Sequence, residues 1–136
     1  MNLKPYLHEV KYYETDKMGI THHSNYIRIM EEARIDWMDQ LGYGFDRMEA
    51  EGIVSPVVSA ACNYKKTTTF KDLIEVEVKV KSLSEVKLII AYTMRVEGKV
   101  VATGETVHCF FDGGRPAVIA DRFPTLYEAM KATMDA

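Results

Sequence analysis

Between residues 24 and 41 the apolar side chains recur at helical intervals: Tyr26, Met30, Ala33, Trp37 and Leu41 stand four, three, four and four positions apart. Such steps keep side chains on one face of an α-helix, so the stretch predicts a helix with one apolar stripe. Ser24 stands where an N-cap residue belongs, and Gly42 and Gly44 close the pattern. Roughly 18 residues at 1.5 Å each give ~27 Å, enough to cross a whole sheet. The polar stretch from Asp46 to Gly52 predicts one further turn of helix.

From Val54 to Phe111 the period changes to two, and Val, Ile, Thr and aromatic residues dominate. Ile74, Val76, Val78 and Val80 alternate with Glu75, Glu77, Lys79 and Lys81, and Val86, Leu88, Ile90, Tyr92, Met94 and Val96 form a second inward set. That alternation belongs to antiparallel strands with one face buried. Breaks fall at residues 69 to 72, at Leu83-Ser84 and at Glu97-Gly98-Lys99, the last suiting a tight hairpin. Leu7 to Tyr13 reads as a first strand, Thr15 to His23 as a polar loop, and Pro124 to Met134 as a terminal helix. The order strand, long helix, four strands, short helix fits an α+β fold. In it a five-stranded antiparallel sheet wraps around the long helix, and each buries the other's apolar face.

Composition narrows the class. A chain of 136 residues supports one hydrophobic core, so residues 1–136 are expected to form a single domain. With 47% hydrophobic and 27% charged residues it has the balance of a soluble globular protein. A net charge of −3 leaves no electrostatic footprint for nucleic acid. No run approaches the ~18–20 apolar residues of a membrane span, and the first residues lack a secretory pattern, so no membrane insertion and a cytoplasmic location are expected. Cys62 and Cys109 lie far apart in apolar stretches and are expected to stay reduced.

One stretch concentrates groups that chemistry can use. Glu14 to Asn25 holds carboxylates, Gly19 and two of the four histidines, and runs into a helix N-terminus whose free N–H groups can bind a developing oxyanion. A plainer reading has Asp16 only capping the loop. The adjacent pair His22 and His23 has no third ligand at helical or hairpin spacing, so neither a metal nor another cofactor is expected. His8 and His108 fall in strand patterns and read as packed or surface residues. Glu31 and Arg34, three apart on the helix, read as an ion pair or a subunit contact.

The ordered set Tyr13-Glu14-Thr15-Asp16-x-x-Gly19, His23-x-x-Tyr26 and Glu31-x-Ala33-Arg34 resembles the signature of hotdog-fold acyl-CoA thioesterases. The match is to the 4-hydroxybenzoyl-CoA thioesterase type and its relatives encoded beside the Tol-Pal envelope genes. It covers about residues 12 to 34, and Phe70-x-Asp72-x-Ile74-x-Val76 also fits. The resemblance implies the hotdog fold and acyl-CoA hydrolysis, with Asp16 as the catalytic carboxylate acting as nucleophile or general base. It further implies the backbone N–H of His23 as oxyanion donor, the His23 imidazole as an auxiliary group, Gly19 as the loop glycine and Tyr26 as the aromatic of the first helical turn. Lys65 and Lys66 would meet the CoA phosphates if they are not merely solvated. Many members carry one more acidic residue before the Thr-Asp pair, and a Tyr in place of His22.

Two other functions compete: a hotdog hydratase or dehydratase that leaves the thioester intact, and a non-catalytic acyl-CoA binding module. In each the expected partner besides acyl-CoA is a second copy, as a homodimer or homotetramer. A lone sheet has an unpaired edge, and Val101, Val107, Cys109 and Phe111 are expected to stay wet on its outer face.

Overall fold

A computed structural model describes residues 3–134. Its elements are β1 (Tyr6–Glu9), α1 (Ser24–Gln40), α2 (Phe45–Ala50), β2 (Val57–Tyr64), β3 (Leu73–Leu83), β4 (Lys87–Val96), β5 (Lys99–Cys109), the short pair β6 (Phe111–Asp112) and β7 (Arg115–Pro116), α3 (Ile119–Arg122) and α4 (Pro124–Met134). The first five strands form one sheet in the order β1-β3-β4-β5-β2, antiparallel throughout.

The long helix follows from its stripe. Tyr26, Met30, Ala33, Trp37 and Leu41 are all buried, joined by Ile29 and Met38. Burying each large apolar side chain contributes about 1.5–3 kcal/mol, far more than helix propensity supplies. α1 touches β1, β3 and β2, so it reaches both edges of the sheet. It stops where Gly42, at φ +80°, lets Tyr43 N–H reach Met38 O and Gly42 N–H reach Asp39 O. That double bond satisfies the last carbonyls of the helix. The inward strand positions Ile74, Val76, Leu88, Ile90, Tyr92 and Met94 are buried against it. β4 and β5 join through Glu97 and Gly98, both at positive φ, in the turn that matches strand twist.

Several sequence expectations need correction. The first strand ends at Glu9 rather than Tyr13, because the chain turns through a 3-10 helix at Tyr12–Glu14 that aims the Glu14 carboxylate back at His8 and Lys11. Ser24 is the first helical residue, not the cap; its N–H donates to Nδ1 of His22 at 3.2 Å. Val86 precedes its strand and is exposed. Val101 is buried rather than wet: the β4–β5 register slips between Met94 and Arg95, opposite Val101. Val107, Cys109 and Phe111 are half-buried. The β6–β7 pair and α3 were absent from the sequence pattern.

β2 is unusual for an edge. All eight residues are exposed except half-buried Cys62, and none is charged or proline. The opposite edge, β1, is only four residues long.

Candidate active site

The Asp16 loop is built by its own backbone. Thr15 and Thr21 bridge across it, Asp16 N–H donates to Ile20 O at 2.9 Å, and Gly19 N–H donates to Asp16 O at 2.9 Å. Gly19 has φ +79°, a conformation that any side chain would strain. Asp16 Oδ1 accepts the Met18 N–H at 2.8 Å, which orients the carboxylate. No other hydrogen bond or ion pair engages that carboxylate among the described residues, so Oδ2 is free.

The loop is held from behind. Glu14 is buried, and its carboxylate accepts from Lys11 N–H and pairs with His8 Nε2, each at 2.8 Å. Its carbonyl accepts from His22 N–H at 2.8 Å and Asn25 Nδ2 at 3.0 Å, tying the loop exit to the helix start. The Thr68 hydroxyl lies 2.6 Å from that of Thr21 and 2.9 Å from that of Tyr26, which joins the loop to the segment after β2. Such buried hydroxyl networks rigidify when every member is paired.

Asp16, His23, Tyr26, Lys65 and Lys66 line one cleft of about 230 Å³, together with Tyr64. Gly19 shapes the loop but does not line the cleft. His23 immediately precedes α1, and its backbone N–H meets no acceptor among the described residues. Its ring stacks on His22, with centroids 4.3 Å apart, and Tyr64 Oη donates to its carbonyl at 3.3 Å. The Tyr26 and Tyr64 rings meet edge to face at 5.1 Å. Burial pushes both phenols, and the Cys62 thiol near them, upward, so all three stay neutral near pH 7. Among the described residues that line the cleft, Asp16 is the only carboxylate. The N–H groups of Lys65 and Lys66 both donate to Val101 O, leaving their exposed ammonium groups on the rim.

A carboxylate with a free oxygen, an unpaired N–H at a helix start and two rim cations can add a nucleophile to a carbonyl and stabilise the oxyanion. Residues 10–132 match the family described as the thioesterase-like superfamily. The chain belongs to this family. A candidate acyl-CoA thioesterase of Bacillus subtilis, YneP, is 31% identical over 129 residues, 90% of this chain and 94% of that protein. A candidate esterase of Aquifex aeolicus is 36% identical over 110 residues, 81% of this chain and 86% of its own. Among solved structures, a DHNA-CoA thioesterase from Staphylococcus aureus superposes with a TM-score of 0.89 at 32% identity, covering 97% of this chain and 91% of that one. The sheet and helix are thus a hotdog fold, and the protein is a thioester hydrolase.

This thioesterase has a second cavity that the sequence did not announce. It measures about 270 Å³ and lies at the far end of α1, beside Val54 and Ser55 just before β2. Met38, Met48, Leu88, Ile90 and Phe110 are among its apolar lining, and Glu49 is a charged residue on it. Arg34 and His108 line it too, linked by a relay: Arg34 Nη1 donates to Tyr92 Oη at 3.3 Å, Tyr92 Oη lies 2.7 Å from Thr106 Oγ1, and Thr106 Oγ1 lies 2.8 Å from His108 Nε2. Arg34 therefore faces Tyr92, and no Glu31 ion pair forms among the described residues. His108 Nδ1 is buried without a partner. Burial, and next the Arg34 charge, push the His108 pKa down to about 4, so the ring is neutral near pH 7. The Ser55 backbone opposes that weakly without reaching hydrogen-bond geometry at Nδ1. Tyr64 and Thr68 also escaped the sequence reading; only their proximity to Lys65 and Lys66 marked that stretch.

Proposed function

We propose that this protein hydrolyses acyl-CoA thioesters to free acid and CoA at the Asp16 cleft. The observation that carries the reading is one carboxylate with a free oxygen in the same cleft as the unpaired His23 N–H at the start of α1. Asp16 attacks the carbonyl carbon itself, or takes the proton from a water that does so. The carbonyl oxygen gains charge, and the His23 N–H and the positive end of α1 stabilise it. The tetrahedral adduct then expels the CoA thiolate, which takes a proton from His23; where Asp16 was the nucleophile, water next cleaves the acyl–Asp16 anhydride, which frees the acid and restores the carboxylate. Gly19 supplies the turn that presents Asp16, Tyr26 packs beneath the thioester, and Lys65 and Lys66 hold the phosphates of CoA.

The second cavity is read as the acyl chamber, supplied by a second copy of the chain. Within one protomer the two cavities lie at opposite ends of β2, whose eight residues span roughly 23 Å. The uncharged, exposed edge of β2 favours pairing with its own copy about a two-fold axis. Antiparallel pairing sets Tyr64 of one protomer against the start of β2 in the other, so an Asp16 cleft meets a chamber. Such a dimer has two equivalent sites, and a tetramer repeats them.

Thiol release from acyl-CoAs of varied chain tests the reading. A hydrolase releases CoA and the acid in equal amounts. Hydration of an enoyl-CoA without thiol release, or binding without turnover, would replace it.

A further inference from the structure

His8 and Glu14 form a buried ionisable pair, each with a side chain only 8% exposed. The hydrolytic steps make no direct use of either. Glu14 nevertheless ties the entry of the Asp16 loop to its exit and to the sheet. Its carbonyl accepts from His22 N–H and Asn25 Nδ2 at the start of α1, and its carboxylate reaches back to β1 through His8. Asp16 follows two residues later, so any drift of Glu14 moves the attacking carboxylate relative to the His23 N–H.

The bonding fixes the protons of the His8 ring. Nε2 lies 2.8 Å from Glu14 Oε1, which already accepts the Lys11 N–H. Nδ1 lies 3.3 Å from Glu32 Oε2, which already accepts from Tyr6 Oη. Tyr6 keeps its proton, because burial and then the Glu32 bond push its pKa up to about 12. With both carboxylate oxygens accepting, the ring donates at both nitrogens, which only the imidazolium can do. Glu14 from the 3-10 turn, Glu32 from α1 and, through Glu32, Tyr6 of its own strand are the titratable groups that face it. The Lys11 ammonium lies toward Glu9 instead, and β3 places the apolar Ile74 beside it. Loss of one ring proton turns a charge-assisted bond into an ordinary one, roughly half as strong, and sets a lone pair against a carboxylate.

We infer that His8 is a positioning residue for the hydrolysis: its imidazolium, bonded at both nitrogens, holds Glu14 and thereby sets Asp16 against the His23 N–H. The inference rests on acyl-CoA hydrolysis at the Asp16 cleft.

The test measures kcat and KM of the full chain on a CoA thioester that the wild type hydrolyses. His8→Leu is expected to lower kcat by at least about 10-fold, since ~1 Å of misplacement at a reacting group can cost about 10²-fold. KM should stay within about two-fold, because the rim lysines are untouched. His8→Gln, whose amide nitrogen takes the place of Nε2 on Glu14, is expected to keep kcat within about three-fold of the wild type. Profiles of kcat against pH are compared in the His23→Ala background, where His23 cannot contribute. There kcat should fall several-fold as pH rises through the His8 titration, followed by NMR of its ring nitrogens, and His8→Gln should abolish that fall. Should His8→Leu not fold, His8→Gln and its pH profile carry the test. A folded His8→Leu with near wild-type kcat, a loss carried by KM instead, or a fall with pH that survives His8→Gln overturns the inference and leaves acyl-CoA hydrolysis standing. No thiol release by the wild type from acyl-CoAs of varied chain overturns the acyl-CoA reading and this inference with it.

Discussion

Gly104→Ala probes the packing that sets α1 against the sheet. Gly104 pairs with Tyr92 on β4 and Cys62 on β2, and a Cβ there would sit 2.4 Å from Met30 Sδ and 3.1 Å from Ala61 O. Comfortable contacts are ~3.5–4.0 Å, so the thioether must retreat by more than ~1 Å. Met30 is fully buried, and its flexible end must displace neighbours to move. Overpacking of this kind costs about 1–3 kcal/mol, and the upper half of that range is expected here. Met30→Ala alone should cost about 2–5 kcal/mol through the cavity it leaves. In the double variant the new methyl enters that cavity, so the pair should be less damaging than the sum by about 1–3 kcal/mol. Urea denaturation at one fixed protein concentration measures this, since association adds its own stabilisation. A neutral Gly104→Ala, or strictly additive losses, would refute the close approach.

Ala61→Lys puts a charge in the middle of the exposed β2 edge, where a two-fold pairing would bring like charges together. Light scattering should then show a 15.5 kDa particle, with hydrolysis lost because no partner supplies the chamber. A 15.5 kDa particle that still hydrolyses acyl-CoA would overturn the shared site. His23→Ala should lower kcat by less than Asp16→Asn does, because the backbone donor survives; the reverse order would make the imidazole the principal acid or base. His108 also predicts a pH dependence of stability. Its folded pKa is about 4 against an ordinary 6.5, so the unfolded chain binds the proton first as pH falls. Stability present above pH 6.5 should be lost progressively toward pH 4, by about 3 kcal/mol at most. Denaturation midpoints of wild type and His108→Asn across that window check it: a wild-type loss no larger than the variant's would contradict it.

The elements with strong periodicity were legible. Tyr26, Met30, Ala33, Trp37 and Leu41 announced the helix and its buried face, because apolar residues recurring every 3.6 positions share one face only when the chain is helical. Alternation from Ile74 to Val80 and from Leu88 to Met94 announced the central strands. The boundaries were less legible where side chains compete with backbone: Glu14 and His8 end β1, and Ser24, which a sequence rule makes the cap, is the first helical residue with its N–H donated to the His22 imidazole. Asp16, Gly19 and His23 were visible as a cluster because they are close in sequence. Their relation to Tyr64, Lys65 and Lys66 depends on the chain returning after about 40 residues, which spacing alone does not encode. The Arg34–Tyr92–Thr106–His108 relay joins one helix to two strands, and local pattern carries no sign of it.

The most direct measurement of the central claim is kcat of Asp16→Asn on a CoA thioester that the wild type hydrolyses. Asparagine keeps the side-chain oxygen that accepts the Met18 N–H, so the loop should persist while the charge disappears. Circular dichroism and light scattering unchanged from wild type would establish that the variant is folded and assembled. A kcat lower by at least about 10²-fold is expected, the range that a positioned base or nucleophile contributes. Hydrolysis by the folded variant at near the wild-type rate would contradict Asp16 as the group that acts on the thioester.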